Sequence, residues 1–210
     1  MTEVANVADS FNWVAHGLSV IRKRGISMDL GSRRLADLTY STSFSGIDAP
    51  GTALCMIGGH AQLTAVHLWA AEKDKHCCYE LLMHPHSPQC LFGDVHDLID
   101  PRIRHTLVTE AHRMDFLDLS KIVKSGRMLI GQAPCSLHHK DCKPKRAELH
   151  VAGTPCVDFS SQGARRMLRG PSLIPLLAWA AQRLQHMEPA ILHENVEGVL
   201  FDLLSFLFAP

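Results

Sequence analysis

HVAGTPCVDFSSQG, residues 150–163, is the stretch that decides the fold. The apolar run 148–153 predicts a strand, which stops at Thr154-Pro155 and gives way to a loop rich in Ser and Gly. A thiol, Cys156, stands at the start of that loop, whereas a buried structural cysteine would lie inside the strand. A strand followed by a polar loop is typical of the carboxyl edge of a parallel sheet, where ligands bind.

Strand and helix signals alternate on both sides of this stretch. Strands are predicted at 35–44, 76–82, 88–95 and 189–196, and helices at 52–73, 107–123, 171–187 and over the last dozen residues. Strands that alternate with helices indicate right-handed βαβ units. We therefore predict an α/β domain of three layers with a mostly parallel sheet.

Composition excludes several classes of protein. Lys plus Arg and Asp plus Glu both number 21, so the net charge of zero is unlike that of a strongly basic nucleic-acid binder. Seven cysteines at irregular spacing argue against a secreted disulfide framework. We see neither a signal peptide nor an apolar run of the roughly 18–20 residues that span a membrane. We therefore expect an intracellular protein, nuclear if eukaryotic and otherwise cytoplasmic, without membrane association.

Acidic residues end two of the predicted strands. Glu80 follows the second strand and Asp94 the third, and an acidic residue after the second strand commonly accepts hydrogen bonds from ribose hydroxyls. The first strand runs into a small-residue loop, where Gly46 allows a tight turn before a helix. The offset from Gly46 to Glu80 is 80 − 46 = 34, longer than the usual roughly 20, which requires an insertion. The alternative is that both acids are solvated strand ends.

A thiol and a carboxylic acid follow two successive strands. We expect the helix after Cys156 to favour its thiolate form and the nearby Asp158 to oppose that effect. Glu194 and Asn195 end the next strand, and neighbouring strands lie about 4.8 Å apart, so Cys156 and Glu194 could face one space. A nucleophile beside an acid suits attack on an electron-poor ring that is protonated as it is attacked. The alternative is an inert, half-buried cysteine.

These residues carry a family resemblance. GTPCVDFSSQG, residues 153–163, and EPAILHENVEG, residues 188–198, resemble the paired catalytic motifs of the cytosine-5 DNA methyltransferases. FSGIDAPG at 44–51 resembles their S-adenosylmethionine loop, CYELL at 78–82 their ribose motif and GDVHDL at 93–98 their adenine motif. The resemblance implies a Rossmann-like methyltransferase fold that uses S-adenosylmethionine and acts on a flipped cytosine in DNA.

The resemblance also implies residue roles. Cys156 would add to carbon 6 of cytosine, Glu194 would protonate the ring at N3, and Asn195 would brace the loop that carries Cys156. Glu80 would bind the ribose and Asp94 the adenine amine. The residues expected to bind the cofactor are Phe44, Ser45, Gly46, Ile47, Glu80, Asp94 and Pro155.

Three departures from the family pattern bear on these implications. Asp48 replaces the second glycine of the cofactor loop, where a carboxylate could pair with the amino group of the cofactor or hinder it. The segment 97–147 is longer and more irregular than the segment expected between these motifs in the family. The arginine-rich motif, the target-recognition domain and the final helix of the family do not follow residue 196. We predict a lead-in at 1–37 and a partial catalytic domain at 38–210, incomplete at its C-terminus.

Alternative functions remain open at this point. A tRNA-methylating branch shares the two catalytic motifs, and a truncated chain could instead be a non-catalytic binding module. The apolar tail VLFDLLSFLF, residues 199–208, must fold back on the core, dimerise or await a missing C-terminal half, so self-association is expected.

A cysteine- and histidine-rich segment offers a further alternative. CSLHHKDC contains Cys135, His138, His139 and Cys142, four soft ligands that could bind zinc. Structural sites usually draw ligand pairs from two separate segments, and this spacing is cramped. We therefore predict an exposed basic loop without a metal, whose neighbouring KPKR run, residues 143–146, could contact phosphate.

Overall fold

A seven-stranded sheet organises the chain. The computed structural model describes residues 19–20, 23–25, 38–61 and 65–209, without the side chains of 58–61. The strands are β1 (Thr39–Ser43), β2 (Val66–Ala71), β3 (Cys90–Phe92), β4 (Ala133–Cys135), β5 (Lys140–Cys142), β6 (Leu149–Gly153) and β7 (Ala190–Glu194). Their order in the sheet is β5-β4-β3-β2-β1-β6-β7. Nearly all of the predicted lead-in at 1–37 lies outside the described residues.

Five strands run parallel, and a hairpin is added at one side. β3, β2, β1, β6 and β7 pair in parallel, whereas β4 and β5 pair in antiparallel fashion with β3 and with each other. The parallel strands follow the crossover pattern predicted from the alternation of strands and helices. The prediction of a mostly parallel sheet is confirmed.

Helices cover both faces of the sheet. They are α1 (Ala49–Ala61), α2 (Lys75–Met83), α3 (Pro101–Glu110), α4 (Phe116–Lys124), α5 (Leu173–His186) and α6 (Phe201–Phe208). On one face, Leu81 of α2 packs with Ala70 and Leu91 of the sheet. On the other face, α3 to α6 form the main core around Ala152 of β6. The predicted three-layer α/β architecture is therefore confirmed.

Helix α5 is the central helix of the main core. Its residues are buried from Leu173 to Arg183, because one side packs on the sheet and the other sides contact neighbouring helices. The buried Arg183 is compensated by a hydrogen-bonded ion pair with Glu188 and by a 2.7 Å hydrogen bond to the side-chain oxygen of Gln182. Within the described residues, no helix has the length and hydropathy of a membrane span.

Three predicted elements are wrong. The predicted helix at 107–123 is two helices, α3 and α4, because Asp115 caps the start of α4. The predicted strand at 76–82 is helix α2, because the Asp74 side chain caps the backbone N–H groups of His76 and Cys77. The predicted helix at 52–73 ends at Ala61, and its last part forms β2. β2 is a buried central strand, so its apolar run lacks the alternation that marks a half-exposed strand.

Candidate active site

The carboxyl ends of the five parallel strands meet at one edge of the sheet. β1 leads into Phe44, β2 into Glu72, β3 into Asp94 and β6 into the Thr154–Cys156 segment, and β7 ends with Glu194. Polar and reactive side chains from distant parts of the sequence are brought together there because parallel strands share one carboxyl edge. We call this set of strand ends the catalytic edge.

A recess of about 210 Å³ opens beside β1, β2 and β3 at this edge. Its walls include the side chains of Phe44, Glu72, Asp94, Val95 and Pro155. Its lining combines two carboxylates with apolar surfaces and also includes Lys73 and His96. A ligand with hydroxyl and amino groups around an apolar ring system, such as an adenosine group, has complementary chemistry. The volume is below the roughly 300–1,000 Å³ of full ligand sites, so this recess has room for only part of a ligand of that size.

Glu72, and not Glu80, is the acid at the end of β2. Glu80 lies exposed on helix α2 and does not line the recess, so its predicted position after a strand is wrong. Glu72 follows Ala71 directly and accepts hydrogen bonds from the backbone N–H of Gly46 (2.8 Å) and of Asp74 (2.8 Å). The offset from Gly46 is 72 − 46 = 26, which removes most of the insertion that Glu80 required.

The loop after β1 has an unusual backbone. Phe44 and Asp48 adopt φ of 56° and 62°, in the left-handed region that large side chains rarely occupy, and Gly46 adopts φ of 52°. The side chain of Phe44 lines the recess on one side and a second groove on the other. Strained backbone of this kind concentrates at ligand-binding loops.

The other predicted cofactor residues of this loop lie differently. The Ser45 hydroxyl is buried and hydrogen-bonds to the carbonyl of Ala71 (3.2 Å) and to Thr42 Oγ1 (2.7 Å). Ile47 is 63% exposed, and it is not part of the recess wall. Ser45 therefore holds the loop against β2, and neither side chain faces the recess.

Asp48 points into the protein. Its carboxylate is fully buried and accepts hydrogen bonds from Tyr40 Oη (3.1 Å) and the backbone N–H of Gly51 (3.1 Å), with His67 Nδ1 at 3.3 Å. A side chain at residue 51 would collide with this carboxylate, so glycine is required where α1 passes over it. The alternatives of pairing with a cofactor amino group or hindering it do not apply to this geometry.

Cys156 lies in a turn. Its carbonyl accepts the backbone N–H of Phe159 (2.9 Å) and of Ser160 (2.8 Å), and the next α-helix begins only at Leu173. The expectation of a helix directly after Cys156 is therefore wrong. The carboxylate of Asp158 is buried and accepts the N–H of Ser172 (2.9 Å) at the start of α5.

Glu194 lies next to the strand that carries the Cys156 loop. In the parallel pairing of β6 and β7, Gly153 is opposite Glu194, and Cys156 follows Gly153 by three residues. The Glu194 Oε2 atom lies 3.2 Å from where a Cβ on Gly153 would stand, so the carboxyl group passes closely over the backbone of β6. The absence of a side chain at Gly153 leaves room for it.

Asn195 joins β7 to the loop that carries the thiol. Its Nδ2 donates to the carbonyl (2.9 Å) and the hydroxyl (2.7 Å) of Thr154, and its Oδ1 accepts the N–H of Val196 (2.8 Å). The Thr154 hydroxyl also contacts His193 Nε2 at 2.8 Å. Burial lowers the pKa of His193, which keeps its ring neutral and able to accept the Thr154 proton. No pattern in the sequence singled out this histidine.

A second, more apolar groove of about 490 Å³ lies beside Phe44 and Glu194. It runs over β1, β6 and β7 and includes Pro50 of α1 and Leu192 of β7. Phe44 forms part of both cavities, and Glu194 is the acidic group of the second one. A planar group placed in this groove would have an acid at one end and apolar contacts elsewhere.

Comparison with known protein families agrees with this arrangement. A family model for C-5 cytosine-specific DNA methylases matches residues 44–202, about three quarters of the chain and the whole of the catalytic edge. No curated protein sequence matches the chain closely enough to count as a relative. Members of this family share the methyltransferase fold and use S-adenosylmethionine. Because the matched region spans most of the chain, the chain belongs to the C-5 cytosine-specific DNA methylase family.

Proposed function

We propose that this chain transfers a methyl group from S-adenosylmethionine to carbon 5 of cytosine in DNA, with Cys156 as the nucleophile. The observation that carries the proposal is the pairing of Gly153 with Glu194. It sets the cysteine loop and the carboxylic acid on neighbouring strands, beside the recess that fits an adenosine group. A thiol and an acid at one edge of the sheet are the two groups that addition to a cytosine ring requires.

The chemistry follows from the two groups. The Cys156 thiolate forms a bond to carbon 6 of cytosine while the Glu194 carboxyl group donates a proton to N3, so carbon 5 becomes nucleophilic. S-adenosylmethionine, when bound, supplies the electrophilic methyl group. A water molecule acting as base then takes the proton from carbon 5, and the Cys156 sulfur leaves as thiolate, which restores the double bond between carbons 5 and 6. The proton on N3 returns to the Glu194 carboxylate. In duplex DNA the target cytosine must first leave the base stack to reach these groups.

Glu72 and Asp94 are the residues we assign to the cofactor. Both carboxylate oxygens of Glu72 already accept a backbone N–H, yet a carboxylate offers about four acceptor positions and retains capacity for ribose hydroxyls. Asp94 caps the following turn through the N–H of His96 (3.0 Å) and faces the same recess from β3. Phe44 and Pro155 form the apolar walls between the two acids.

A covalent trap tests the assignment of Cys156. DNA that contains 5-fluorocytosine should form a denaturation-resistant adduct with the chain in the presence of S-adenosylmethionine, because fluorine at carbon 5 cannot be removed as the proton is. We expect Cys156→Ser to abolish the adduct, since an alcohol is a far poorer nucleophile than a thiolate at neutral pH. The readout is a mobility shift on a denaturing gel.

Matched controls make this trap decisive. Cys77→Ser changes a partly exposed cysteine on α2, outside the catalytic edge, and should leave the adduct yield unchanged. An adduct that survives Cys156→Ser would remove Cys156 from the nucleophilic role. An adduct that forms with a fluorinated tRNA transcript and not with DNA would contradict the DNA substrate.

A further inference from the structure

Four metal-ligating side chains converge at the hairpin beside β3. Cys90 comes from β3, Cys135 from β4, His138 from the turn and Cys142 from β5, and their ligand atoms all lie within 4.8 Å of one another. The Nδ1 atom of His138 lies 3.3 Å from the sulfur of Cys135, 3.4 Å from that of Cys142 and 3.7 Å from that of Cys90. Three sulfurs therefore surround one imidazole nitrogen.

We propose that Cys90, Cys135, His138 and Cys142 form a structural zinc site. Zinc bonds of about 2.3 Å to sulfur and about 2.0–2.1 Å to nitrogen, arranged as a tetrahedron, separate a sulfur from a nitrogen ligand by about 3.6 Å. The three nitrogen–sulfur distances lie on either side of that value. Three thiolates with one imidazole are a common ligand set of structural zinc.

The fold supplies the ligand that the sequence segment lacks. Residues 135–142 alone are a single cramped segment, but β4 pairs with β3 so that Cys135 is opposite Phe92 and the N–H of Ser136 donates to the carbonyl of Leu91 (2.8 Å). This pairing brings in Cys90 from a segment 135 − 90 = 45 residues earlier. Zinc ligands drawn from two separate segments are the usual arrangement. Our prediction of a loop without a metal is revised by this proposal.

The turn geometry selects one of the two adjacent histidines. His139 adopts φ of 51° and donates its N–H to the carbonyl of Cys135 (2.9 Å), which closes a tight turn between β4 and β5. His138, one residue earlier, is the histidine whose ring reaches the three sulfurs. His139 is outside the cluster and serves as a matched control.

The arrangement favours a metal over a disulfide. All three cysteines are free thiols in this structure, and a disulfide between any two would leave the third thiol and the imidazole without a common partner. Four protein ligands also leave no open coordination position, as in structural zinc sites and unlike catalytic ones. The inner side of the cluster packs in the same apolar group as Phe92 and Ala133, which shields the sulfurs from water on that side.

Position in the sheet indicates what the site does. The turn at 136–139 lies at the amino end of β3, because β4 runs antiparallel to it, and the catalytic edge is at the carboxyl end. β4 and β5 each contain only three residues, and a short hairpin is marginally stable without further support. A zinc ion there would fasten the hairpin to the parallel sheet, without contact with the cofactor recess.

Metal content and cobalt substitution test the proposal. The full chain, purified under reducing conditions with zinc supplied, should contain one zinc ion per chain. Cobalt in its place should show the visible absorption of a tetrahedral site and a near-ultraviolet charge-transfer band from three thiolates. Since the chain has 14 histidines, the thiolate band separates this site from adventitious binding to imidazoles.

The variants separate this cluster from the neighbouring residues. Cys90→Ser should weaken cobalt binding more than about tenfold, because loss of even a supporting hydrogen bond costs about 10–100-fold in metal affinity. Cys77→Ser and His139→Gln should bind as the parent does. His138→Cys should retain the metal, and the intensity of its thiolate charge-transfer band should increase to that expected for four sulfur ligands. In His139→Cys the intensity of the band should stay at that of three sulfur ligands. The expected increase of the thiolate band in His138→Cys can be observed only in a folded, metal-binding variant. This result therefore cannot be an artefact of misfolding.

Three results would overturn the proposal. One is a chain without stoichiometric zinc whose alkylation pattern reveals a disulfide within 135–142. Another is a cobalt spectrum without thiolate bands. The third is a folded Cys90→Ser variant that binds cobalt as tightly as the parent, which would remove β3 from the site.

Discussion

Asp48 is a fully buried carboxylate that serves the fold. Burial by itself raises the pKa of Asp48, but the hydrogen bond and charge of His67, with the N–H of Gly51, lower it below its usual value. Burial and the neighbouring carboxylate raise the pKa of Tyr40, which therefore stays a neutral donor to Asp48. The ring of His67 stacks on Tyr40 because the two residues lie directly opposite each other in the pairing of β1 with β2. Tyr40 and His67 therefore hold Asp48 in place, and Asp48 belongs to the strained loop that contains Phe44.

Glu72 gives a prediction at the scale of one residue. Glu72→Gln should weaken S-adenosylmethionine binding about 10–100-fold, since a hydrogen bond to a charged group contributes about 1.5–3 kcal/mol. The single amide oxygen can still accept the N–H of Gly46 but no longer that of Asp74 as well, so circular dichroism should confirm that the variant is folded. Titration calorimetry measures the affinity.

The matched control is Glu80→Gln, which changes an exposed acid on α2. Its affinity should equal that of the parent chain. If Glu80→Gln bound S-adenosylmethionine weakly and Glu72→Gln bound it normally, Glu80 would be the acid that binds the cofactor.

Helix α6 is the element that closes the main core. Val199, Leu203, Leu204 and Leu207 are buried, whereas Phe201 is 61% exposed and Phe206 is 41% exposed. Lys124 of α4 donates to the carbonyls of Phe206 (3.2 Å) and Ala209 (3.1 Å), which holds the end of α6. We expected the apolar tail to fold back on the core, to dimerise or to await a missing C-terminal half. In the structure it folds back on the core. Self-association of the chain stays a prediction.

A substitution pair on α6 tests its contribution. Leu203→Ala should lower the free energy of unfolding by about 2–5 kcal/mol, because it removes a fully buried side chain and leaves a cavity. Phe201→Ala, two residues earlier on the exposed face, should cost much less. Urea unfolding followed by circular dichroism measures both, and equal losses would show that α6 does not pack as described.

The strand ends were predictable from sequence where a polar cluster follows a strand. The strands β6 and β7 were predicted correctly because Pro155 and Asn195 mark where each strand stops. Cys156 and Glu194 were therefore correctly predicted to lie at the same edge of the sheet. β2 did not, because Ala- and Leu-rich sequence favours a helix locally and only burial between β1 and β3 makes it a strand. The misplaced strand led to the prediction of Glu80, where the structure has Glu72, as the acid that follows the second parallel strand. The zinc cluster depends on β3–β4 pairing, which no local pattern in the sequence reveals.

The stability of the whole molecule should depend on pH through buried histidines. Burial and the nearby Arg183 lower the pKa of His150 well below its usual range, and burial lowers that of His193. Between these lowered pKa values and about 6.5, the unfolded chain binds more protons than the folded chain. Stability should therefore be complete above about pH 6.5 and fall as the pH decreases below it.

Urea unfolding at about pH 7.5, 6.5 and 5.5 measures this dependence. His150 alone should contribute a slope of up to about 1.4 kcal/mol per pH unit. His150→Gln should flatten the profile whatever its effect on stability at pH 7.5. His105→Gln, at an exposed position on α3, should leave the slope unchanged, and an unchanged slope in His150→Gln would exclude His150 as its source.

The stacking of Trp179 on His193 connects the core to the catalytic loop. The two rings are 4.2 Å apart and nearly parallel, and the other side of the imidazole group holds the Thr154 hydroxyl. An indole ring loses fluorescence when a stacked imidazole becomes charged or changes position. Emission from Trp179, one of three tryptophans in the chain, should therefore follow the state of the Thr154–Cys156 segment and provide an intrinsic optical probe of the candidate active-site loop.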